Sequence, residues 1–281
     1  MHIRSEGQKN VLEDDVIADF GKEWSEYRQG SEHSAELNAW FVKYFEQIDL
    51  NKISDWKVAD FGAGSGRWAF FLSDHVEHIV CLEPSDAIEV AKLNLVNKSN
   101  VTFERSTIQN TSLADNTLDF GYSLGVLHHM VDTQEALNIC VSKVKPGGKF
   151  LLYLYQDLSD RPLHYRALFV MVNMVRAVVC LLPFKAKKIV TSIIGLLIYY
   201  PLARLAKLWS RLGFSVNNWP LSSYKNSSLY TMQTDALDRF GTKLEKRYSK
   251  NELQNLMRNA GLKNIVFNSS EPFWTALGTK D

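Results

Sequence analysis

Short apolar runs alternate with mixed polar and apolar stretches through the middle of the chain. The runs have the length of strands, and the stretches between them carry apolar residues at helical spacing. The predicted order is strand 57–61, helix from 65, strand 79–83, helix 86–97, strand 101–104, strand 118–123, helix 133–143 and strand 149–155. Alternation of this kind predicts an α/β fold with a doubly wound, mostly parallel sheet and helices on both faces.

The two ends of the chain extend this pattern. Aromatic and aliphatic residues at helical spacing before residue 50 predict helices that lean on the open side of the sheet. Near the C-terminus, a helix from Lys250 stops at Gly261, and two strand-like runs follow at 262–268 and 273–278. The predicted domains are cap helices, a core in two pieces and an insertion, at 1–50, 51–156 with 245–281, and 157–244.

The predicted insertion is helical and unusually apolar. Its uncharged or nearly uncharged runs, 167–182 and 189–203, are shorter than the roughly 20 residues that a membrane-crossing helix needs. After them, 204–212 places leucines and Trp209 on one helical face and basic residues on the other. This pattern is typical of a helix that lies in a membrane surface.

Charge is distributed very unevenly along the chain. The net charge is only +1, which predicts no strong attraction to nucleic acid as a whole. No Asp or Glu occurs between Arg161 and Thr234, whereas ten Lys and Arg residues do. The insertion therefore has its own partner. Four alternatives are a helical lid or homodimer interface, a membrane surface or lipid-linked substrate, a two-helix membrane span, and RNA, which the long aliphatic runs disfavour.

The cysteines and histidines give no sign of a metal or disulfide framework. Cys81, Cys140 and Cys180 are widely spaced and form no CxxC pair. The histidines lack ligand spacing with nearby acids, so no metal is predicted. The N-terminus shows no basic start followed by an apolar run. We expect a cytoplasmic protein, associated peripherally with the inner face of the membrane if the insertion binds lipid.

A glycine-rich turn follows the first core strand. Gly62, Gly64 and Gly66 stand at alternate positions, and Glu83 ends the next strand about twenty residues on. Glycines there allow a tight turn and a close approach to a ligand, and the acid suits the two hydroxyls of a ribose. Asp60 would repel a pyrophosphate and attract an ammonium group. The combination predicts a pocket for a nucleoside cofactor without phosphate.

Four segments occur in the order found in one enzyme family. They are Val58-Ala59-Asp60-Phe61-Gly62-Ala63-Gly64-Ser65-Gly66, Cys81-Leu82-Glu83-Pro84-Ser85, Asp115 to Met130, and Val144-Lys145-Pro146-Gly147-Gly148-Lys149-Phe150. Together they resemble motifs of the class I S-adenosylmethionine-dependent methyltransferases, in the type 11-like, small-molecule branch. The resemblance implies a Rossmann-like, seven-stranded sheet with N-terminal helices and a helical insertion after strand 5.

The resemblance also implies the cofactor S-adenosyl-L-methionine and a set of contacts to it. The implied cofactor-binding residues are Asp60, Gly62, Ala63, Gly64, Gly66, Glu83, Pro84, Thr107, Ile108, Leu124 and Gly125. Glu83 would hold the ribose, and Leu124 with Gly125 would pass beneath the sulfonium. The adenine contacts depart from the family pattern, because Ser106 and Thr107 stand where many relatives carry Gly-Asp.

Two histidines follow the fourth core strand, at the sheet edge where ligands bind in such folds. Histidine is the natural base near neutral pH, and in similar O-methyltransferases the first of such a pair has that role, which carries over to His128. His128 and His129 are both candidate catalytic residues, although either could instead brace the loop without touching the substrate. The acid that assists the base in those relatives is replaced by Leu154, which argues against a base mechanism.

The acceptor site is less defined. Tyr153 and Tyr155 lie where the sheet opens into the insertion, and the resemblance places Trp24 and Tyr27 at the substrate border, although both could be ordinary packing residues. The resulting hypothesis is a methyltransferase acting on oxygen of a small or lipid-linked acceptor, such as a glycan, a quinone precursor or a secondary metabolite. The alternative is a non-catalytic scaffold that docks on a membrane or partner through the insertion.

Overall fold

The structure is a computed structural model that describes residues 17–19, 21–22, 34–157, 163–216, 219–269 and 274–281. The chain forms two compact units. The first comprises Met1–Asp160 and Leu244–Asp281, and the second is Arg161–Lys243.

The first unit contains one seven-stranded sheet in the order β3-β2-β1-β4-β5-β7-β6. The strands are β1 Lys57–Phe61, β2 His78–Leu82, β3 Val101–Glu104, β4 Leu118–Leu124, β5 Val144–Tyr153, β6 Leu262–Phe267 and β7 Thr275–Lys280. The first five pair in parallel, and β7 runs antiparallel between β5 and β6. The predicted α/β fold with a terminal antiparallel pair is confirmed.

Helices cover both faces of this sheet. They are α1 Ser34–Tyr44, α2 Arg67–Leu72, α3 Ala87–Asn94, α4 Thr133–Lys143 and, after the second unit, α8 Lys250–Asn259. Helices cover both faces of the central strands, so nearly every residue of β1 and β4 is buried. Phe41 of α1 and Phe45 beyond its end enter the core on one face, where Phe45 meets the ring of Tyr122. The predicted aromatic face of this helix is therefore buried.

The sheet direction determines where a site can form. Strands β1, β2 and β4 point their carboxyl ends to the same edge. The strand order changes direction between β1 and β4, since β2 and β3 lie on one side of β1 and β4 and β5 on the other. Ligands of doubly wound sheets bind at that edge, at the point where the strand order reverses.

The second unit is all helical in its described part. It contains α5 Leu163–Val179, α6 Phe184–Arg211 and α7 Leu229–Gly241. Its small core includes Val179, Tyr199, Ala203, Met232 and Phe240.

The sequence interpretation of α6 was wrong in one respect. The apolar run and the basic amphipathic segment, interpreted as successive elements, form one helix of 28 residues. Pro201 does not end it, because Gly195–Tyr199 adopts a wider π turn just before. A proline in a regular helix collides with the carbonyl four residues earlier, and a π turn relieves that crowding.

Candidate active site

The glycine turn at the end of β1 uses backbone conformations that L side chains rarely adopt. Gly62, Gly64 and Gly66 have φ angles of 86°, 53° and 75°. The backbone N–H groups of Gly62 and Ala63 both donate to the carbonyl of Leu82, at 2.9 Å, which fastens the turn to the end of β2. The glycines thus satisfy a local backbone requirement whatever the turn binds.

Replacing Gly62 by alanine should destabilise the fold more than a positive φ alone explains. A Cβ at Gly62 would lie 2.6 Å from both methyl carbons of Val126, in the loop after β4. Gly147 offers a matched control, since it has φ 79° and nothing within 4 Å of its Cβ position. We expect Gly147→Ala to cost about 1–2 kcal/mol of unfolding free energy from backbone strain, and Gly62→Ala about 1–3 kcal/mol more from overpacking.

Urea titration of the two variants measures this difference. Equal losses of unfolding free energy in the two variants would show that the Val126 side chain moves aside at little cost. The turn would then be less tightly packed than its geometry indicates.

The carboxylate of Glu83 is held in place by the turn that faces it. One oxygen accepts the N–H of Gly64 at 3.0 Å, and the other accepts the N–H of Ser85 at 2.9 Å together with the Ser85 hydroxyl. Glu83 is buried. A carboxylate has about four acceptor sites and three are used here, so one stays open on the oxygen that accepts from Gly64, and the rotatable Ser85 hydroxyl can free another. Glu83 is therefore oriented before any ligand binds.

Asp60 lies near Glu83, at the end of β1. Its carboxylate accepts the hydroxyl of Tyr122 at 2.8 Å and is almost fully buried. Burial raises the pKa of Asp60 to about 7; the Tyr122 hydrogen bond opposes this rise, and the charge of Glu83 adds to it. A cation beside Asp60 would stabilise its charged form.

The other predicted cofactor residues surround the same sheet edge. Pro84 follows Glu83, and Thr107 precedes a 3-10 turn whose first residue, Ile108, is buried in the core. Leu124 ends β4, and Gly125 donates its N–H to the carbonyl of Tyr153 at 3.1 Å. The β1, β2, β3 and β4 ends thus bring the predicted residues to one edge, although their cofactor contacts stay predictions.

The histidine pair is more enclosed than a freely accessible base would be. His128 is 0 % exposed, and neither of its ring nitrogens has a hydrogen-bond partner within the described residues. Its ring lies 3.9 Å from that of Tyr155 and 4.0 Å from that of His129, measured between centroids. Burial holds the pKa of His128 well below its usual value, and the charges of His129 and Arg247 lower it further.

His129 is tied to the chain that returns from the second unit. Its Nδ1 lies 2.6 Å from the carbonyl of Leu244, which requires that nitrogen to carry the proton and donate. This contact favours the bracing role for His129. The catalytic role of His128 stays a prediction, and in this conformation an acceptor could reach it only if Tyr155 or the segment from Leu244 moved.

The predicted acceptor residues divide into two groups. Tyr153 and Tyr155 are half-buried at the end of β5, and their rings lie 6.0 Å apart. Trp24 and Tyr27 lie outside the described residues. Gly21 is described, and a Cβ there would lie 3.2 Å from Cβ of Ser85, so this part of the N-terminal segment adjoins the Glu83 loop.

Several site residues escaped the sequence analysis. Tyr122 binds Asp60 across neighbouring strands, and Ser85 orients Glu83. Lys246 donates its backbone N–H to the His128 carbonyl, and Arg247 lies 5.3 Å from the Tyr155 ring. Only Ser85 carried a local signal, namely its position two residues after the acid.

This edge offers groups that suit S-adenosylmethionine. Glu83 presents an oriented carboxylate to a diol, and Asp60 supplies an anionic partner for an ammonium group. The buried hydroxyl of Ser65, inside the glycine turn, has no partner among the residues that the structure describes. Acceptors and an unsatisfied hydroxyl at one strand edge fit a polar nucleoside that lacks phosphate.

Comparison with known proteins supports this interpretation. Residues 59–152 match the family described as "Methyltransferase domain". An uncharacterized methyltransferase of Bacillus subtilis, YcgJ, is 28 % identical over 99 residues, which are 34 % of this chain and 39 % of that protein. A tRNA U34 carboxymethyltransferase of Campylobacter fetus is 29 % identical over 150 residues, or 50 % of this chain and 52 % of that protein. The chain thus spans about half or less of these relatives.

A solved structure resembles the chain over its whole length. It is the Burkholderia thailandensis 1,6-didemethyltoxoflavin-N1-methyltransferase with bound 1,6-didemethyltoxoflavin and S-adenosylhomocysteine. The TM-score is 0.56 at 12 % identity, with 100 % of this chain and 92 % of that chain covered. At this identity the similarity concerns the fold.

Proposed function

Because its core is a class I S-adenosylmethionine-dependent methyltransferase domain, we propose that this chain methylates an oxygen atom of a small or lipid-linked acceptor. S-adenosylmethionine is the cofactor of the domain. The observation that carries the proposal is the Glu83 carboxylate, which the glycine turn and Ser85 hold in place at the carboxyl end of β2, one strand from the switch point of the sheet. An intact, oriented binding carboxylate favours a working enzyme.

Methyl transfer needs little from the protein beyond alignment. The bound cofactor supplies a methyl group on a positively charged sulfur. The bond from that sulfur to the methyl carbon breaks as the bond from the acceptor oxygen forms, so donor and acceptor must lie in line. Glu83 and Asp60 would fix the donor, and Leu124 with Gly125 would set the floor beneath its sulfur.

A hydroxyl acceptor must also lose its proton, and His128 is the group we assign to receive it. Its lowered pKa keeps the imidazole neutral at pH 7, so a ring nitrogen can accept a proton. Its ring nitrogens have no competing hydrogen bond among the described residues. Access requires Tyr155 or the segment from Leu244 to move away from the His128 ring when the acceptor binds.

Cofactor labelled in its methyl group tests the proposal against lipid-extracted and water-soluble acceptor fractions. We expect labelled product and S-adenosylhomocysteine from the wild type, with the methyl on oxygen by mass spectrometry. His128→Gln should lower kcat by about 100-fold or more with cofactor affinity unchanged. At saturating cofactor the wild type should stay active down to about pH 6, because His128 protonates only well below its usual pKa.

His129→Gln is the matched control for that experiment, and we expect it to act mainly on stability through its lost contact to Leu244. A methyl group found on nitrogen would overturn the oxygen assignment. Full activity in His128→Gln would remove that residue from the mechanism while leaving methyl transfer intact.

A second candidate is a scaffold that binds the cofactor without chemistry. It is favoured by the enclosure of His128 and by the apolar, fully buried Leu154 at the position of the assisting acid. Cofactor binding without S-adenosylhomocysteine formation in any acceptor fraction would support it. Product formation that requires Glu83 would exclude it.

A further inference from the structure

One side of α6 presents a continuous apolar row to the surroundings. Residues at intervals of three, four and eight along the helix are exposed and large. We call them the apolar face; they are Ile189, Ile193, Leu197, Leu205 and Leu208. Only 28 % of the most apolar 18-residue window of α6 is buried within the structure. So large an exposed apolar row in a folded unit indicates an interaction surface.

The opposite side of α6 packs on its own unit. Lys187 donates to the carbonyl of Gly241 at 2.9 Å, and Arg204 donates to the carbonyl of Ser227 at 2.8 Å. Between them, Thr191 and Ala203 are fully buried. One side of α6 therefore packs against its own unit, and the apolar face is on the opposite, exposed side.

The charge of the second unit indicates what covers this face. Arg161–Lys243 contains twelve basic and two acidic residues, a net charge of +10. Lys185 precedes the apolar face and Arg211 follows it, and both are exposed. A partner that matches this surface must be apolar in the middle and anionic around it. A bilayer containing anionic lipid has both properties.

The aromatic residues of α6 agree with this arrangement. Tyr200 and Trp209 are partly exposed on the same helix as the apolar face. Their rings combine an apolar body with a polar group, which suits the level of the lipid headgroups.

We infer that α6 lies in the plane of an anionic lipid surface, with its apolar face among the acyl chains and Lys185 and Arg211 at the headgroups. A second copy of the chain fits less well, because it would bring another unit of charge +10 against this one. The inference does not depend on methyl transfer.

A membrane-crossing arrangement fits poorly, although α6 is long enough by length and composition. Its uncharged part, Ile189 to Ala203, has fifteen residues and a length of about 22 Å, below the roughly 30 Å of a hydrocarbon core. Its packed side also faces α7, which carries Asp235, Asp238 and Arg239. A spanning helix would draw these charges toward the bilayer core.

Flotation of the full chain with vesicles tests the inference. We expect co-flotation with vesicles of about 30 % phosphatidylglycerol in phosphatidylcholine, and little with phosphatidylcholine alone. Leu197→Glu/Leu208→Glu should abolish it, since both changes put charge into the apolar face. The control is Leu93→Glu/Val96→Glu, which alters equally exposed apolar residues of the first unit and should float as the wild type does.

Folding of each variant is checked by circular dichroism and by its affinity for S-adenosylmethionine, which none should change. Lys185→Gln/Arg211→Gln should weaken vesicle binding by about 25-fold, or about five-fold for each charge. Absence of wild-type flotation, or flotation retained by Leu197→Glu/Leu208→Glu, would overturn the inference. Vesicle-bound protein that resists extraction by alkaline carbonate would also overturn the inference, because it indicates a membrane-spanning helix. A further contradicting result would be a wild-type protein that does not float but forms a dimer, if Leu197→Glu/Leu208→Glu dissociates that dimer.

Discussion

Replacing Glu83 by alanine is expected to weaken binding of S-adenosylmethionine by about 100-fold or more. A hydrogen bond to a charged group contributes about 1.5–3 kcal/mol, and a carboxylate that receives two ribose hydroxyls makes two of them. The variant also loses the acceptor for Gly64 and Ser85, so the glycine turn is no longer fastened to the end of β2 by this side chain. Both effects act against cofactor binding.

Calorimetric titration with S-adenosylmethionine and S-adenosylhomocysteine measures this effect. Glu89→Ala is the matched control, because Glu89 is an exposed carboxylate on the next helix that pairs with Lys92 of the same helix. We expect wild-type affinity from the control. Wild-type affinity in Glu83→Ala as well would refute the assignment of the nucleoside to this edge. The inference that α6 binds lipid would be unaffected, because the vesicle experiment tests it separately.

The glycine turn and the acid after β2 could be predicted because their signals are local. Gly62, Gly64 and Gly66 need positive φ angles that the sequence spacing already indicates. The position of Glu83 could be predicted because the glycine turn and the acid are separated by the length of one helix and one strand. The same holds for the parallel sheet, since each strand is a short apolar run bounded by turn residues.

Contacts between distant parts of the chain could not be predicted. Tyr122 meets Asp60 because β4 lies beside β1, 62 residues along the chain. Lys246 and Arg247 reach the histidine loop only after the second unit has intervened. These returning residues help to enclose His128, so sequence spacing left a base role and a bracing role open and could not show that the ring is buried.

The length of α6 was missed for a different reason. The uncharged run 189–203 and the basic amphipathic segment 204–212 were separated by composition, and a change of composition does not by itself end a helix. Pro201, inside the uncharged run, would end or kink a regular α-helix, because it lacks the N–H and collides with the preceding turn. The π turn at Gly195–Tyr199 removes that collision, and nothing in the local hydrophobic pattern announces it. The correction matters for function, because it turns two short segments into one long surface.

Affinity for S-adenosylmethionine is expected to rise with pH between about 5.5 and 7.5. In the unliganded protein Asp60 has a pKa of about 7, so near pH 6 most molecules hold a proton there. The ammonium of the cofactor favours the charged carboxylate, so binding below that pKa must release the proton. We expect binding to be about eight-fold weaker at pH 6 than at pH 7.5, and this window stays below the titration of the cofactor's own amino group near pH 8.

Asp60→Asn should remove this pH dependence and weaken binding at the upper end of the range. Asp119→Asn is the control, because Asp119 lies at the other end of the sheet, its hydrogen bonds to Lys145 and to the N–H of Lys57 lower its pKa, and it does not titrate in this range. A pH dependence that persists in Asp60→Asn would assign the titration to another group.

Ionisation of the Asp60 carboxyl should also make the free energy of unfolding of the unliganded protein depend on pH. Its folded-state pKa lies above the ordinary value, so the stability it contributes is fully present below about pH 4 and is lost as the pH rises through about 7. Asn keeps the acceptor for Tyr122 without a buried charge. Asp60→Asn should therefore exceed the wild type in unfolding free energy near pH 8, by at most about 4 kcal/mol. Weaker cofactor binding together with a larger free energy of unfolding in Asp60→Asn would show that the buried charge favours ligand binding and destabilises the unliganded fold.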